Sequence, residues 1–443
     1  MYLCPTCGFL RIAVVFGRHN YCMDISDAEA YAASDHKSDL EVAVGRLEGT
    51  VRHTPTVFSK TLTDRVGFDV AMKLENLQET GSFKIRGAYN KIAGLSPQDL
   101  SRGLVTASAG NHAQGVAYAS RERGAKATIV MPQSTPPLKV DATKSYGADV
   151  VLFGETFDES EAYARELASE QGMVLVHPFD DYQVLCGQGT IALEILQDRP
   201  DITDVVVPLG GGGLGSGIAM AIKTFRPDVR VIGAIPSQSP AWKMSFAAGH
   251  VVAAEKVNTS AEGVAVKRPG DLTFALLETY LDDLVEVSET GISQMILLML
   301  EKHKLVVEAA GAVSLAALEQ LGRQSQVFSK AKGAHVVVPV VSGGNIDTVT
   351  IGAVIQGGMI SRGRIMQFAV ELPDVPGQLV KVATILARLR ANVIELNHDQ
   401  FKAAGHYRNG VLLEVTVETN GSEHIKRILS SLEEEGLHPR QIY

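Results

Sequence analysis

Between about residue 38 and residue 360, short apolar runs alternate with amphipathic ones, and this alternation constrains the fold more than any other feature of the chain. Residues 103–108 read as a buried strand, 111–123 as a helix, 127–131 as a strand and 138–146 as a helix. Residues 149–153 and 157–171 repeat the pair. After the segment 184–197 come a strand at 204–208, a helix at 216–225, a strand at 230–235, a long helix near 288–305 and a strand at 334–341. Strands separated by helices pair in parallel, and the helices cover both faces of the sheet. The expected class is therefore α/β, and ligands in such folds bind beyond the carboxyl ends of the strands.

The pattern changes after Arg362. Residues 366–372 alternate as a strand does, and Asp374-Val375-Pro376-Gly377-Gln378-Leu379 forms a turn that opens a helix running through 380–390. Strands are expected at 392–401 and 410–419, and a charged helix at 422–436. With a closing strand this is a ferredoxin-like βαββαβ unit over residues 365–443, joined to the body by a Gly/Ser/Arg-rich linker at 357–364. A chain of 443 residues exceeds what one core supports, so more than one domain is expected on length alone.

A net charge of −9 argues against nucleic acid as a partner. No apolar run approaches the ~20 residues that span a bilayer. The apolar stretch 9–17 is broken by Arg11 and lacks the basic start and cleavage site of a signal peptide, so a cytoplasmic location is expected, with no membrane. The first 37 residues read as an extension without regular structure. Cys4, Cys7, His19 and Cys22 within it have the ligand types of a small zinc site, the alternative reading of that segment.

Three loops carry chemistry. In Thr80-Gly81-Ser82-Phe83-Lys84, a lysine opens a helix between Phe83 and Ile85, whose burial would lower its pKa and so favour the uncharged amine that attacks a carbonyl. Gly210-Gly211-Gly212-Gly213-Leu214-Gly215 lies between a strand and a helix, where main-chain N–H groups can hold a phosphate. The same run fits a dinucleotide fingerprint, but the following strand ends Ile235-Pro236-Ser237, without the acid that would hold a ribose. In Ser108-Ala109-Gly110-Asn111-His112, N–H groups at a helix start can receive a carboxylate, and Ser108 or Asn111 can equally be an ordinary helix cap. Ser342, in Val341-Ser342-Gly343-Gly344-Asn345, can cap a ring nitrogen or merely turn the chain. Glu308 sits in an apolar setting that would raise its pKa, near the start of a helix.

These motifs, in this order, resemble the fold type II pyridoxal-phosphate enzymes, and most closely the threonine ammonia-lyases (threonine dehydratases). The likeness runs from about Leu40 to the C-terminus, and is carried by the runs at 75–84, 108–115, 210–214, 261–267 and 342–345. It implies two α/β subdomains within 38–360, the smaller over roughly 85–180. It further implies that Lys84 binds pyridoxal 5′-phosphate covalently, with Phe83 beside the ring. Gly210, Gly211, Gly212, Gly213 and Leu214 would hold the phosphate, Asn111 the ring 3′-oxygen, and Ser342 the ring nitrogen. Ser108, Ala109, Gly110, Asn111 and His112 would receive the substrate carboxylate, with Glu308 an acid near the cofactor. The implied reaction is deamination of L-threonine to 2-oxobutanoate and ammonia, a first step towards isoleucine, with L-serine as a side substrate.

Serine or 3-hydroxyaspartate ammonia-lyases and serine racemases are the alternatives within the superfamily, and a non-catalytic amino-acid sensor is a distant one. Racemases carry a serine where this chain has Ala109, which cannot transfer a proton. Their metal-binding glutamate corresponds to Ile235 here, so no metal is expected. The C-terminal unit resembles an ACT regulatory domain, which implies a homodimer or homotetramer and an amino-acid effector, isoleucine with valine opposing it. Asp374, Pro376, Gly377, Gln378, Leu379, Asn392 and Val393 would form the effector site.

Overall fold

The computed structural model describes residues 2–3, 10–11, 34–323, 335–399 and 410–443. Cys4, Cys7, His19 and Cys22 lie outside the described residues. Among the described residues no cluster of His, Cys, Asp and Glu is placed to hold a metal, and no helix is long and apolar enough to cross a membrane.

The described chain up to Met295, together with Lys302–Asn345, forms one compact unit, and Ile296–Glu301 with the chain from Ile346 forms the second. Besides a short antiparallel pair, Tyr2–Leu3 with Leu10–Arg11, the first unit holds two larger sheets. In the larger, the strands lie in the order Asp283–Val287, Arg230–Pro236, Asp204–Pro208, Val336–Val341, Asp69–Leu74, Thr56–Phe58. All neighbours run parallel except the last pair. Every residue of Asp204–Pro208 and of Val336–Val341 is buried. Continuous Val-rich runs of this kind are what a central parallel strand, covered on both faces, requires. The smaller sheet is wholly parallel, in the order Asp149–Leu152, Ala127–Met131, Leu104–Ala107, Val174–Leu175.

In the second unit, four antiparallel strands lie in the order Asn392–Asp399, Gly410–Glu418, Ile365–Pro373, Arg440–Gln441. Phe368, Val370, Leu413 and Val415 meet Ile385, Ile428 and Leu432 of the helices Gln378–Arg388 and Ser422–Glu434 in one core. This is the ferredoxin-like arrangement that the alternation predicts.

Three boundaries differ from the sequence reading by three residues or more. The helix expected from residue 216 begins at Gly213, because Gly212, at φ +100°, turns the chain directly into it. The helix expected over 288–305 is α-helical only over Glu289–Leu298; a π-turn follows at Met299–His303, and Lys304 at φ 59° stops it. Residues 357–361 of the expected linker continue the helix Thr348–Ser361, leaving only Arg362–Arg364 as the turn into the next strand. Glycine in a helix interior costs about 1 kcal/mol relative to alanine, too little for Gly357 and Gly358 to end a helix alone.

Candidate active site

Lys84 is the first residue of the helix Lys84–Ala93. That helix packs closely on two others through glycines. A Cβ at Gly115 would stand 3.1 Å from the main chain of Lys84 and Ile85, and one at Gly87 would stand 2.7 Å from Val184. Two residues beyond Lys84, the buried Arg86 donates from Nε and Nη2 to the Glu75 carboxylate, both at 2.8 Å, and from Nη1 to Glu194 at 2.6 Å. The lysine is thus presented by a helix that is held on two sides and pinned by a buried ion network.

The Lys84 ammonium donates to the Pro178 carbonyl at 2.7 Å, with the Phe83 ring centroid 5.3 Å away. Burial pushes its pKa down to about 8, against the opposing charge of Glu308. A lysine in that range is partly a free amine near neutrality, which attack on a carbonyl requires.

The glycine loop is shaped from behind. Trp242 Nε1 donates to the Gly210 carbonyl at 2.6 Å and Thr273 Oγ1 to that of Gly211 at 2.8 Å. A Cβ on Gly211 would overlap the Phe179 ring. The first turn of the helix Gly213–Phe225 leaves its N–H groups without helical acceptors. Carbonyls tied back and N–H groups at a helix start make an anion seat.

Main-chain bonds stitch the Ser342 loop to the lysine loop. Phe83 N donates to the Ser342 carbonyl at 3.0 Å, and Gly344 N to that of Gly81 at 2.9 Å. Glu308 N donates to the Gly343 carbonyl at 3.1 Å, and a Cβ on Gly343 would overlap the Glu308 carboxylate. Burial raises the Glu308 pKa to about 7, although the bond from Asn111 Nδ2 at 2.7 Å works against this.

The loop 108–112 follows the strand Leu104–Ala107 of the smaller sheet. Ser108 Oγ accepts from Gly110 N at 3.2 Å. His112 is buried, and its Nε2 donates to the Val176 carbonyl at 3.0 Å. Burial, with the Lys84 charge adding to it, drives its pKa down to about 3, so the ring is neutral and braces the loop instead of offering a cation.

One cavity of about 1630 Å³ is lined by Lys84, the 108–112 loop, the 210–214 loop, Glu308 and Ser342. Every site residue singled out in the first unit, Phe83 included, therefore faces a single space. Three contributors escaped the sequence reading: Pro178, through its carbonyl; Phe179, under the glycine loop; and Asn345, which donates to Asn111 Oδ1 at 2.8 Å. Only Asn345 lay within a run already noticed. Across part of the cavity lining, Lys139 of the helix Pro137–Ser145 pairs with Glu262 at 2.7 Å.

In the second unit, Asp374, Pro376, Gly377, Gln378 and Leu379 form the turn after Ile365–Pro373, whereas Asn392 and Val393 open the edge strand. Pro373 is level with Gly410, and Asn392 with Glu418, at the other end of the same strand. The two halves of the expected effector site thus sit at opposite ends of the sheet, roughly 25 Å apart at ~3.3 Å per residue.

A family model described as "Pyridoxal-phosphate dependent enzyme" matches residues 47–343. The chain is 44% identical over 395 residues to an L-threonine ammonia-lyase from Geobacter sulfurreducens, covering 89% of this chain and 96% of that one. It is similar to the structure of the processed form of threonine deaminase isoform 2 from Solanum lycopersicum, with TM-score 0.68 and 38% identity over 73% of this chain and 89% of that one. It is also similar to maize serine racemase, with TM-score 0.69 and 34% identity over 75% of this chain and all of that one.

Proposed function

The chain belongs to the pyridoxal-phosphate dependent enzymes, and from that premise we propose that it deaminates L-threonine to 2-oxobutanoate and ammonia. The observation that carries the threonine reading is the likeness to an L-threonine ammonia-lyase along 96% of that enzyme's length. The cavity's own residues fit the cofactor: an amine of lowered pKa, an anion seat whose glycine a side chain would fill, and a serine between them at the next strand end.

Bound pyridoxal phosphate supplies an aldehyde that condenses with amines and a conjugated ring that accepts the electrons left at Cα when its proton departs. Gly210 to Gly213 and Leu214 would hold its phosphate through main-chain N–H groups, Ser342 would meet the ring nitrogen and Asn111 the ring 3′-oxygen. A neutral hydroxyl at the ring nitrogen does not keep it protonated, which weakens the electron sink and favours prompt elimination. The N–H groups of the loop Ser108 to His112 receive the substrate carboxylate. Lys84, once free of the cofactor, would take the Cα proton as general base, a role that burial, which lowers its pKa, suits. The β-hydroxyl leaves with a proton as water, and the unsaturated amine that is released hydrolyses to 2-oxobutanoate and ammonia. L-serine, lacking the methyl, gives pyruvate more slowly. Ala109 has no proton to give, which argues for elimination over racemisation despite the likeness to a racemase.

The second unit is proposed to bind isoleucine, opposed by valine, and so to serve isoleucine synthesis in the cytoplasm. Because Asp374–Leu379 and Asn392–Val393 lie at opposite ends of one sheet, a site using both needs two copies of the chain, as in a homodimer or homotetramer. The test is 2-oxobutanoate production from L-threonine by the purified, cofactor-loaded protein with and without L-isoleucine. Turnover suppressed by isoleucine is expected. Turnover indifferent to isoleucine would remove the effector role, and no turnover would remove threonine as the substrate.

A further inference from the structure

Asn345 has been given no role above, yet it lines the cavity and touches two of its loops. Its Nδ2 donates to the Thr80 carbonyl at 2.8 Å and to Asn111 Oδ1 at 2.8 Å. Asn111 Nδ2 in turn donates to Glu308 Oε1 at 2.7 Å. The chain Thr80–Asn345–Asn111–Glu308 joins the lysine loop to the loop that opens the substrate-side helix.

We propose that Asn345 is a positioning residue that fixes the orientation of the Asn111 amide, so that Asn111 turns N–H groups and not its carbonyl toward Glu308 and the cofactor's ring oxygen.

The argument is one of donors and acceptors. A side-chain amide has a carbonyl on one branch and an NH₂ on the other, and a half-turn exchanges them. Something must select one of the two. Glu308 does not, because a carboxyl with a pKa of about 7 both accepts and donates near neutrality. The Thr80 main-chain carbonyl does select, because it only accepts. It therefore faces the NH₂ of Asn345. The second hydrogen of that NH₂ goes to Asn111, which must meet it with its oxygen. The Asn111 NH₂ is left pointing the other way, one hydrogen to Glu308 and one available to the cofactor. A fixed main-chain acceptor thus sets a cofactor-facing donor through two side chains.

The backbone is built to admit this arrangement. Gly81 has φ +72°, a region that disfavours residues with a Cβ, and a Cβ there would overlap Asn345 Oδ1. The Gly344 N to Gly81 carbonyl bond at 2.9 Å holds the residue beside Asn345 against the same turn.

The proposal rests on Asn111 meeting the ring oxygen of pyridoxal phosphate; it does not depend on threonine being the substrate. The experiment compares the visible and near-ultraviolet absorption bands of the cofactor-loaded protein at equal loading, without substrate. The variants are Asn111→Ala, Asn345→Asp, Asn345→Ala and the double variant Asn111→Ala/Asn345→Asp. Donation to the ring oxygen favours its ionised, yellow form. An aspartate at 345 accepts from Asn111 and turns it round, so the visible to near-ultraviolet ratio is expected to fall about tenfold, the effect of losing one hydrogen bond to a charged oxygen. Asn345→Ala, which unlocks the amide without reversing it, should fall part of the way. In the Asn111→Ala background Asn345→Asp should change nothing further, which a general structural role for Asn345 would not produce.

If Asn111→Ala leaves the ratio unchanged, the ring-oxygen role of Asn111 falls and the proposal with it. If Asn111→Ala lowers the ratio but neither Asn345 variant does, the proposal alone falls. Should Asn345→Asp fail to load cofactor, Asn345→Ala is read the same way, and a wild-type ratio in it overturns the proposal.

Discussion

Replacing Arg86 with methionine keeps most of the side-chain volume and removes the charge from the most buried ion network in the first unit. Arg86 is 1% exposed, Glu75 0% and Lys73 0%. In the variant, Glu75 keeps only the Thr54 hydroxyl at 2.5 Å and the neighbouring charge of Lys73. Glu194 fares better, because Lys73 Nζ still pairs with it at 2.7 Å. Removing one partner of a buried pair costs about 3–5 kcal/mol, and the surviving Lys73 contact points to the lower end, ~3 kcal/mol.

The assay is urea unfolding followed by fluorescence of Trp242, the only tryptophan of the chain, which is buried in the core beside the glycine loop and so reports the first unit. Glu75→Gln added to Arg86→Met removes the stranded charge and should return about 1–2 kcal/mol, a coupling of the size found for directly paired residues. The pH dependence has a definite sign. In the native protein burial pushes the Glu75 pKa up, but Arg86 and the other partners hold it below its ordinary 4.5. Glu75 therefore adds stability above 4.5 that is lost as pH falls through its lower native value. Without Arg86, burial dominates, the native pKa rises above 4.5, and the variant loses stability as pH rises through that range. A loss under about 1 kcal/mol, or a double variant no more stable than Arg86→Met, would refute the reasoning.

Three further outcomes are expected. Gly211→Val should lower the affinity for pyridoxal phosphate by about tenfold or more, measured by titrating cofactor-free protein, with partial recovery in Gly211→Val/Phe179→Ala, because the new side chain competes with the Phe179 ring for one space. In the cofactor-free protein Glu308 binds its proton up to about pH 7, against an ordinary 4.5, so its contribution to stability is complete below 4.5 and is lost as pH rises through 7; Glu308→Gln should raise the thermal midpoint above pH 7 relative to the native chain and leave it unchanged well below 4.5. Ala109→Ser places a hydroxyl in the 108–112 loop and should raise D-serine formation from L-serine above that of the native chain, as read by chiral chromatography.

What the sequence made legible is local. A strand, a glycine run and a helix occupy 20-odd consecutive residues from Asp204 to Phe225, so their order alone announces an anion seat. Lys84 was legible because its neighbours set its helix and its burial. The parts that stayed hidden act across long separations. Arg86 reaches Glu194 over 108 residues, and Asn345 reaches Thr80 over 265. Phe179 shapes the glycine loop from a segment with no motif of its own. Nothing local distinguishes a surface arginine from one buried among carboxylates, because only the fold decides which acids arrive beside it. The misplaced linker has the same origin: composition marked 357–364 as a breaker, while helical context carried the chain through to Ser361.

The order of strands explains why this sheet can hold such a cofactor. Three neighbours, Asp204–Pro208, Val336–Val341 and Asp69–Leu74, run parallel and end at the same edge. Their following loops deliver, in that order, the glycine loop, Ser342, and the turn leading to Lys84. Neighbouring strands stand about 4.8 Å apart, so the spacing between the three groups is fixed by main-chain hydrogen bonding, which no side-chain replacement alters. The 108–112 loop comes from the other sheet. Apart from Asn111, the groups assigned to the cofactor thus sit on one sheet's frame, and the groups assigned to the substrate carboxylate sit on the other's. Asn111 belongs to both assignments, and it is the residue whose amide is tied back to the first frame through Asn345 and Glu308. A side chain assigned to a ring on one sheet while growing from the other is held to that sheet by these two bonds, at 2.8 and 2.7 Å.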